Sequence, residues 1–219
     1  MSQKYNAALG AYELISRNNG PLVLGVGTGS TTDFFTNKFL PKLREKLKGI
    51  YSSSYRTTNL LKNLGFHVQD YSPEAAIDIY IDGADEYNDR KELIKGGGGA
   101  LTREKILAYS SDIFVCIVDE SKYTDLLGKF PLPIEVIEIA RSAISRELMK
   151  MGGKPIFRNG FISDNGNQII DIHNLPIDIP YDLEAKLNNI PGVVENGIFA
   201  NRKADVIICS TDSSVEIIQ

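Results

Sequence analysis

Short apolar runs, many of them rich in β-branched residues, alternate with amphipathic helical patterns over roughly the first 120 of the 219 residues. The predicted strands lie at residues 21–26, near Ile50, and at 66–68, 77–81 and 113–118. Helical patterns occupy the intervals, most clearly at 57–64 and 101–109, and Pro41 is expected to split the pattern after the first strand into two short helices. This order is typical of βαβ units and predicts an α/β fold with a parallel sheet.

The pattern changes near Gly128, where strands flanked by proline and short helices follow each other closely. Helices are predicted at residues 141–151 and 181–188, and strands at 154–157 and 168–172. This succession predicts a small α+β domain of the split βαβ kind. The apolar run at 204–209 is expected to return to the first sheet. We therefore predict a first domain at residues 1–127, rejoined by 200–219, and a second domain at 128–199.

The charge and apolar content of the chain exclude several classes of partner. The formal net charge is −4, and no basic run offsets the acids, which argues against a nucleic-acid-binding surface. The first ten residues lack the apolar core of a signal peptide, and no stretch approaches the roughly 18 apolar residues of a membrane span. We therefore expect a cytoplasmic protein without a membrane partner.

The two cysteines, Cys116 and Cys209, lie in apolar runs, which predicts buried, reduced thiols.

The motif GVGTGSTT, residues 25–32, stands between a predicted strand and a predicted helix. Glycines let the backbone approach an anion closely, and the start of a helix offers unpaired N–H groups and a positive dipole end. Thr28, Ser30 and Thr31 add hydroxyl donors. The motif therefore suits a phosphate dianion.

Three interpretations of this glycine motif compete. A dinucleotide site would need an acidic residue at the end of the next strand, where residues 52–54 are serines. A P-loop would need a lysine directly after the last glycine, where Ser30 stands instead. The third interpretation is a tight turn that binds nothing.

The motif DGADE, residues 82–86, follows the alternating run IDIYI. Ligands of parallel sheets gather at the carboxyl ends of the strands, so Asp82 and Asp85 are expected at the same edge as the glycine motif. Paired carboxylates there can bind Mg²⁺, transfer protons or orient sugar hydroxyls. A solvated turn is the alternative.

The motif KGGGGALTREK, residues 95–105, contains four consecutive glycines. Such a run is entropically costly and suggests that the backbone must approach a ligand. Lys95 precedes the run, and Glu104 falls in the first turns of the following helix. Glu104 either complements the helix dipole, which would lower its pKa, or acts as a general base, which requires a raised pKa. Because the three motifs follow three different strands, they can converge on one pocket.

Together these motifs resemble the A-type ribose-5-phosphate isomerase family over essentially the whole chain. The resemblance also includes the serines at 52–54, VDESK at 118–122 and GVVENGIF at 192–199. It implies a Rossmann-like parallel-sheet domain, shared with glucosamine-6-phosphate deaminases and CoA transferases, and a second, smaller ferredoxin-like α+β domain. It also implies a homodimer or a dimer of dimers that uses no cofactor and no metal.

The resemblance assigns roles to individual residues. It implies a phosphate cradle at Thr28, Gly29, Ser30 and Thr31, assisted by Lys122. It implies that the sugar oxygens contact Asp82, Gly83, Ala84, Asp85, Lys95, Gly96, Gly97 and Gly98, and that Glu104 is the proton-transferring base. Family members often carry a phosphate-binding lysine on the first helix. The corresponding position here is Asn6, and Lys4 is the nearest basic residue.

The expected reaction interconverts D-ribose 5-phosphate and D-ribulose 5-phosphate through a cis-enediolate, as a step of the non-oxidative pentose phosphate pathway. Asp82 or Asp85, with Lys95, would open the sugar ring, and Glu104 would move the proton between C2 and C1. The alternatives are an amino-sugar phosphate deaminase, a sugar-phosphate lactonase and a sugar-phosphate sensor without catalysis.

Overall fold

The computed structural model describes residues 2–71 and 76–219. The chain divides into two compact units. The first comprises Met1–Gly83, Arg103–Lys122 and Ala204–Gln219, and the second comprises Ala84–Thr102 and Tyr123–Lys203. The domain limits predicted from the sequence, with the second domain at 128–199, stay a prediction.

The elements alternate as an α/β chain does. The strands are β1 (Leu22–Val26), β2 (Leu47–Ser52), β3 (Ile77–Asp82), β4 (Glu86–Tyr87), β5 (Leu93–Ile94), β6 (Ser111–Asp119), β7 (Leu132–Val136), β8 (Lys154–Phe157), β9 (Gln168–His173), β10 (Val193–Asn196), β11 (Ile198–Phe199), β12 (Val206–Ser210) and β13 (Val215–Ile218). The helices are α1 (Gln3–Ser16), α2 (Ser30–Lys38), α3 (Tyr55–Asn63), α4 (Leu101–Tyr109), α5 (Arg141–Lys150) and α6 (Pro180–Asn188). Short 3-10 turns cover Leu40–Lys46, Glu120–Lys122 and Glu138–Ala140.

The first unit contains a six-stranded sheet in the order β13-β12-β6-β3-β1-β2. Its strands are parallel except for β13, which pairs antiparallel with β12 at the edge. The chain passes from β1 to β2 on one side and then to β3 on the other, so the strand order reverses at β1. Val26 pairs with Ser52 of β2 and with Ile81 of β3, which aligns the carboxyl ends of these three strands. Ligands of open α/β sheets bind at such a switch point.

The packing of the first unit agrees with most of the predicted elements. Pro41 lies in the 3-10 turn after α2, as expected, and the apolar faces of α1, α2 and the central strands form one buried cluster. The predicted strand at 66–68 is wrong. Phe66 is buried in this cluster, and Val68 packs against it. The N–H of Gln69 donates one hydrogen bond to the carbonyl oxygen of Ile50 at 2.8 Å, but residues 66–68 form no strand.

The second unit is an α+β structure with two antiparallel sheets. The larger has the order β10-β7-β9-β8, and the smaller has the order β11-β5-β4. Helix α5 contacts β8 and β9, while α6 contacts β10 and β11. A second apolar cluster, formed mainly from β7, β9, α5 and the flanking loops, lies in this unit. The α/β class with a parallel-sheet core and an additional smaller α+β part is therefore confirmed.

Candidate active site

The glycine motif forms the turn from β1 into α2 and is bonded to the end of β3. The backbone N–H of Thr28 donates to Oδ1 of Asp82 at 3.0 Å. A Cβ on Gly27 would lie 2.0 Å from Cγ of Asp82, so only glycine fits there. Gly29 has a φ of 147° and immediately precedes the first residue of α2, Ser30. The loop therefore leads into the N-terminus of α2, a helix of nine residues. A helix N-terminus of this kind can bind an anion.

The hydroxyl of Thr28 belongs to a network inside the first unit. Its oxygen lies 2.8 Å from that of Ser53, 2.7 Å from that of Ser54 and 3.1 Å from that of Thr57. Ser54 also caps α3 by accepting from the N–H of Thr57 at 3.0 Å. The serines after β2 therefore hold the glycine loop against the start of α3, where a dinucleotide site would place an acid.

Lys4 reaches the glycine loop from α1. Its Nζ donates to the hydroxyl of Ser30 at 2.8 Å. A cation beside the start of α2 adds to the positive dipole end of that helix, and both attract an anion. The sequence had pointed to Asn6 as the position corresponding to the family's lysine and to Lys4 only as the nearest basic residue.

Asp82 ends β3 as a fully buried carboxylate with 0% of its surface exposed. Besides Thr28 N–H, Oδ1 accepts from the N–H of Gly83 at 2.8 Å, and the Thr32 hydroxyl lies 3.4 Å away. The hydroxyl of Tyr80 donates to the other oxygen, Oδ2. Asp82 therefore ties the glycine loop to its own strand.

Tyr80 links Asp82 electrostatically to Glu104 inside the first unit. The phenol is fully buried, and burial, then the charges of Asp82 and Glu104, raise the pKa of Tyr80 well above 10.0. Glu104 lies in the first turns of α4 and is only 3% exposed. Sequence reasoning missed Tyr80, although the alternation of IDIYI puts Tyr80 and Asp82 on one face of the strand.

The second unit holds Asp85 and Lys95, two further polar residues predicted from the sequence. Asp85 is half-buried and accepts from the N–H of Gly97 at 2.8 Å through Oδ2. Lys95 follows β5, is 2% exposed, and places Nζ 5.5 Å from the centre of the Phe199 ring. Ala84 is half-buried beside Asp85. A carboxylate and a buried ammonium are thus the ionisable groups that flank the glycine run.

The glycine run has a steric basis at three of its positions, and a Cβ on Gly97 would lie 2.8 Å from Oδ1 of Asp85. Gly96 has a φ of 103°, and a Cβ there would lie 2.8 Å from that of Leu101. Gly99 has a φ of 79°, and a Cβ there would lie 2.2 Å from the Phe161 ring. Nothing lies within 4 Å of a Cβ built on Gly98. Gly98 therefore has open space beside its backbone.

Arg158 supports the same run from β8 and was missed by sequence reasoning. Its Nη1 donates to the carbonyl oxygen of Gly97 at 3.2 Å, while Nε and Nη2 bind the carboxylate of Asp171. The peptide at Gly97 is thus held at its N–H by Asp85 and at its carbonyl by Arg158. Arg158 and Gly97 are far apart in sequence, so their hydrogen bond leaves no local sequence signal.

The remaining predicted residues take these positions. Lys122 ends the 3-10 turn after β6 and is partly exposed, as is Thr31 in the first turn of α2. The first unit brings together the glycine loop, Asp82 and, through Tyr80, Glu104. The second unit brings together Asp85 and the glycine run. Convergence of all three motifs on one pocket stays a prediction.

The described residues form neither a metal-binding cluster nor a membrane-spanning helix. Across residues 2–71 and 76–219, no group of three or more His, Cys, Asp or Glu side chains could hold a metal ion. In the same part of the chain, no helix is both long and apolar enough to cross a membrane.

The fold and these motifs define a Rossmann-like α/β protein with a glycine-rich loop at the switch point of its sheet. The sequence model of the family described as ribose 5-phosphate isomerase A (phosphoriboisomerase A) matches residues 49–213. The chain therefore belongs to the ribose 5-phosphate isomerase A family, and it is an enzyme.

Individual relatives agree with this family over nearly the whole chain. Ribose-5-phosphate isomerase A of Francisella tularensis subsp. tularensis is 52% identical over 211 residues, which are 96% of this chain and 94% of that protein. The crystal structure of ribose 5-phosphate isomerase A from Neisseria gonorrhoeae is 44% identical, with a TM-score of 0.92 over 99% of this chain and 97% of that one. A D-ribose-5-phosphate isomerase in complex with phospho-erythronic acid is 38% identical, with a TM-score of 0.91 over 100% of both chains.

Proposed function

We propose that this protein interconverts D-ribose 5-phosphate and D-ribulose 5-phosphate. The observation that carries the proposal is the buried carboxylate of Glu104, at a helix start, in a chain of the ribose 5-phosphate isomerase A family. The related isomerase in complex with phospho-erythronic acid supports a phosphorylated sugar as the substrate class.

The phosphate is bound at the start of α2. The N–H groups of Gly29, Ser30 and Thr31 and the ammonium of Lys4 supply donors and positive potential, and Lys122 adds a second cation. Binding energy from this remote group orients the sugar carbons for reaction. Thr28 shapes the loop through its hydroxyl network and through its N–H bond to Asp82.

Ring opening moves a proton from the anomeric hydroxyl to the ring oxygen. Asp82 and Asp85 were both candidates for this step, with Lys95. The half-buried Asp85, next to the open backbone of the glycine run, is the better placed of the two. Asp82 already accepts hydrogen bonds on both of its oxygens and has no exposed surface. We therefore assign ring opening to Asp85 and Lys95, and loop positioning to Asp82.

Isomerization of the open aldose then needs one base. Glu104 takes the proton from C2, the C–H electrons form the C1–C2 double bond, and the carbonyl oxygen becomes the enediolate oxyanion. Lys95 and the N–H groups of Gly96 and Gly98 stabilise this negative oxygen, while the N–H of Gly97 stays bonded to Asp85. The hydroxyl proton passes from O2 to O1, and Glu104 returns its proton to C1, which yields the ketose.

The test is ketose formation from ribose 5-phosphate by EDTA-treated protein. The variant is Glu104→Gln, which keeps the size and shape of the side chain but replaces the carboxylate base by an amide. We expect robust turnover by the wild type and a loss of at least about 10²-fold in the variant. Glu138→Gln changes an exposed glutamate and serves as the control. Ammonia release, lactone consumption, or ligand binding without turnover would instead indicate the deaminase, the lactonase or the sensor.

The resemblance to the family also supports three wider proposals. The reaction belongs to the non-oxidative pentose phosphate pathway, the enzyme works in the cytoplasm, and it assembles as a homodimer or a dimer of dimers. It needs neither cofactor nor metal, because a proton transfer between adjacent carbons requires only a base and an oxyanion site. Light scattering of the purified protein measures the assembly directly.

A further inference from the structure

Tyr80 is a buried ionisable side chain that the proposed mechanism does not use. It lies on β3 two residues before Asp82, so the two side chains point to the same face of the sheet. Tyr80 is one of the largest fully buried side chains in the described part of the protein. A tyrosine hydroxyl inside a core needs a hydrogen-bond partner, and here that partner is a carboxylate of the site.

The position of the phenol is fixed by packing within the first unit. Tyr80 pairs in register with Gly25 of β1, and a Cβ at Gly25 would lie 2.7 Å from Cδ2 of the Tyr80 ring. On β6, the Phe114 ring packs against it with a centroid distance of 5.2 Å. The glycine in β1 therefore makes room for the ring, and the two neighbours hold the ring in place.

We propose that Tyr80 is a positioning residue of the isomerase site: its neutral hydroxyl fixes Oδ2 of Asp82, so that Oδ1 holds the Thr28 N–H and the phosphate loop. This inference rests on the proposed function for its kinetic part only. The chain of contacts runs from Tyr80 through Asp82 to Thr28, and Gly83 donates to the same Asp82 oxygen as Thr28.

The charge of the donor matters as much as its position. Burial and the charges of Asp82 and Glu104 keep the pKa of Tyr80 high, so the hydroxyl retains its proton and donates throughout the neutral range. A lysine or arginine at this place would also bind Asp82, but its positive charge would favour the ionised form of Glu104 and weaken it as a base. The Tyr80 phenol orients the carboxylate of Asp82 without adding a cation beside the carboxylate of Glu104.

The test compares Tyr80→Phe with Tyr51→Phe, a matched removal of one hydroxyl from another buried tyrosine of the same sheet. In Tyr80→Phe we expect kcat/KM for ribose 5-phosphate to fall about tenfold or more, because hydrogen bonds to charged groups are among the strongest in proteins. The dissociation constant of inorganic phosphate, measured by calorimetry on the full chain, should rise at least about threefold. Tyr51→Phe should change neither quantity by more than about twofold.

The two measurements separate the inference from the proposed function. If the wild type makes no ketose but Tyr80→Phe still weakens phosphate binding, the proposed function fails and the positioning of the loop is supported. If the wild type isomerises and Tyr80→Phe matches Tyr51→Phe in both quantities, the positioning role is wrong.

A second variant covers the case in which Tyr80→Phe does not fold. Gly25→Ala keeps the hydroxyl but pushes its ring away from the β1 backbone, and it should weaken phosphate binding in the same way. Unchanged phosphate binding in a folded Gly25→Ala protein would overturn the inference.

Discussion

At the scale of single residues, Gly27 and Asp82 share a space that only one side chain can fill. Asp82 has no exposed surface and accepts hydrogen bonds on both oxygens, so it cannot move aside without losing them. Gly27 passes directly beside its carboxylate carbon, and the N–H of Gly27 donates to the carbonyl of Ile81 at 2.8 Å. The absence of a side chain at Gly27 is therefore what allows the glycine loop to dock on β3.

We predict that Gly27→Ala disrupts both the loop and its activity. The new Cβ would lie 2.0 Å from Cγ of Asp82, which forces the carboxylate away from Thr28. Isomerase activity should fall by at least about 10²-fold, because misplacement of a positioning group by about 1 Å has effects of that size. Thermal unfolding of the same protein should also shift to a lower temperature.

Gly20→Ala is the matched control for this change. Nothing lies within 4 Å of a Cβ at Gly20, so activity should stay within about twofold of the wild type. Wild-type activity in Gly27→Ala would show that the loop adapts and that Asp82 does not position it.

At the scale of elements, the sequence predicted those with strong periodicity and missed those without it. Helix α4 and strand β8 have the predicted bounds, because glycines or proline mark their ends and apolar residues fill them. Helix α1 was missed, since it buries mainly alanines and so shows little apolar contrast. Strands β4, β5 and β11 have two residues each, too few for any alternation to show.

The same reasoning explains what could be predicted of the site. The glycine motifs and their carboxylates are local in sequence, so their positions after β1, β3 and β5 were predictable. The partners that hold them are distant in sequence: Arg158 binds the Gly97 carbonyl from β8, and Lys4 reaches Ser30 from α1. Pairings of this kind depend on tertiary packing, which a single sequence does not show.

A buried carboxylate in β7 connects several elements of the second unit. Glu135 has no exposed surface and accepts hydrogen bonds from Thr102, Ser163, Asn165 and Asn167. Thr102 lies in the first turn of α4, two residues before Glu104, whereas the other three donors lie in the loop between β8 and β9. Glu135 therefore holds both the start of α4 and this loop.

We predict different outcomes for two hydroxyl deletions around Glu135. Thr102→Val and Ser163→Ala each remove one donor to a buried carboxylate, so each should lower the free energy of unfolding by about 1–3 kcal/mol. Only Thr102→Val should also lower kcat, because Thr102 orients the helix turn that carries Glu104. Urea unfolding and steady-state kinetics measure the two effects.

Thr102→Ser restores the hydroxyl and should recover most of the lost kcat. Equal losses of kcat in Thr102→Val and Ser163→Ala would mean that Glu135 acts through general stability alone.

At the scale of the whole molecule, the proposed reaction draws on residues of both compact units. The phosphate loop, Lys122 and Glu104 belong to the first unit, whereas Asp85 and Lys95 belong to the second. A ligand that has both a phosphate and sugar-like oxygens therefore tests the proposed phosphate-binding residues and the proposed sugar-binding residues in one experiment.

Phospho-erythronic acid, the compound in the related isomerase complex, is such a ligand. At a concentration 100 times its dissociation constant, a ligand of the folded state stabilises a protein by about 2.7 kcal/mol, which raises the unfolding temperature. We predict that Ser30→Ala in the first unit and Lys95→Met in the second each reduce this rise at a fixed ligand concentration. Lys129→Met, which changes an exposed lysine of the second unit, should leave the rise intact. Scanning calorimetry with and without the ligand measures each shift. If Lys95→Met keeps the full rise while Ser30→Ala loses it, the proposed contact of Lys95 with the sugar oxygens is wrong.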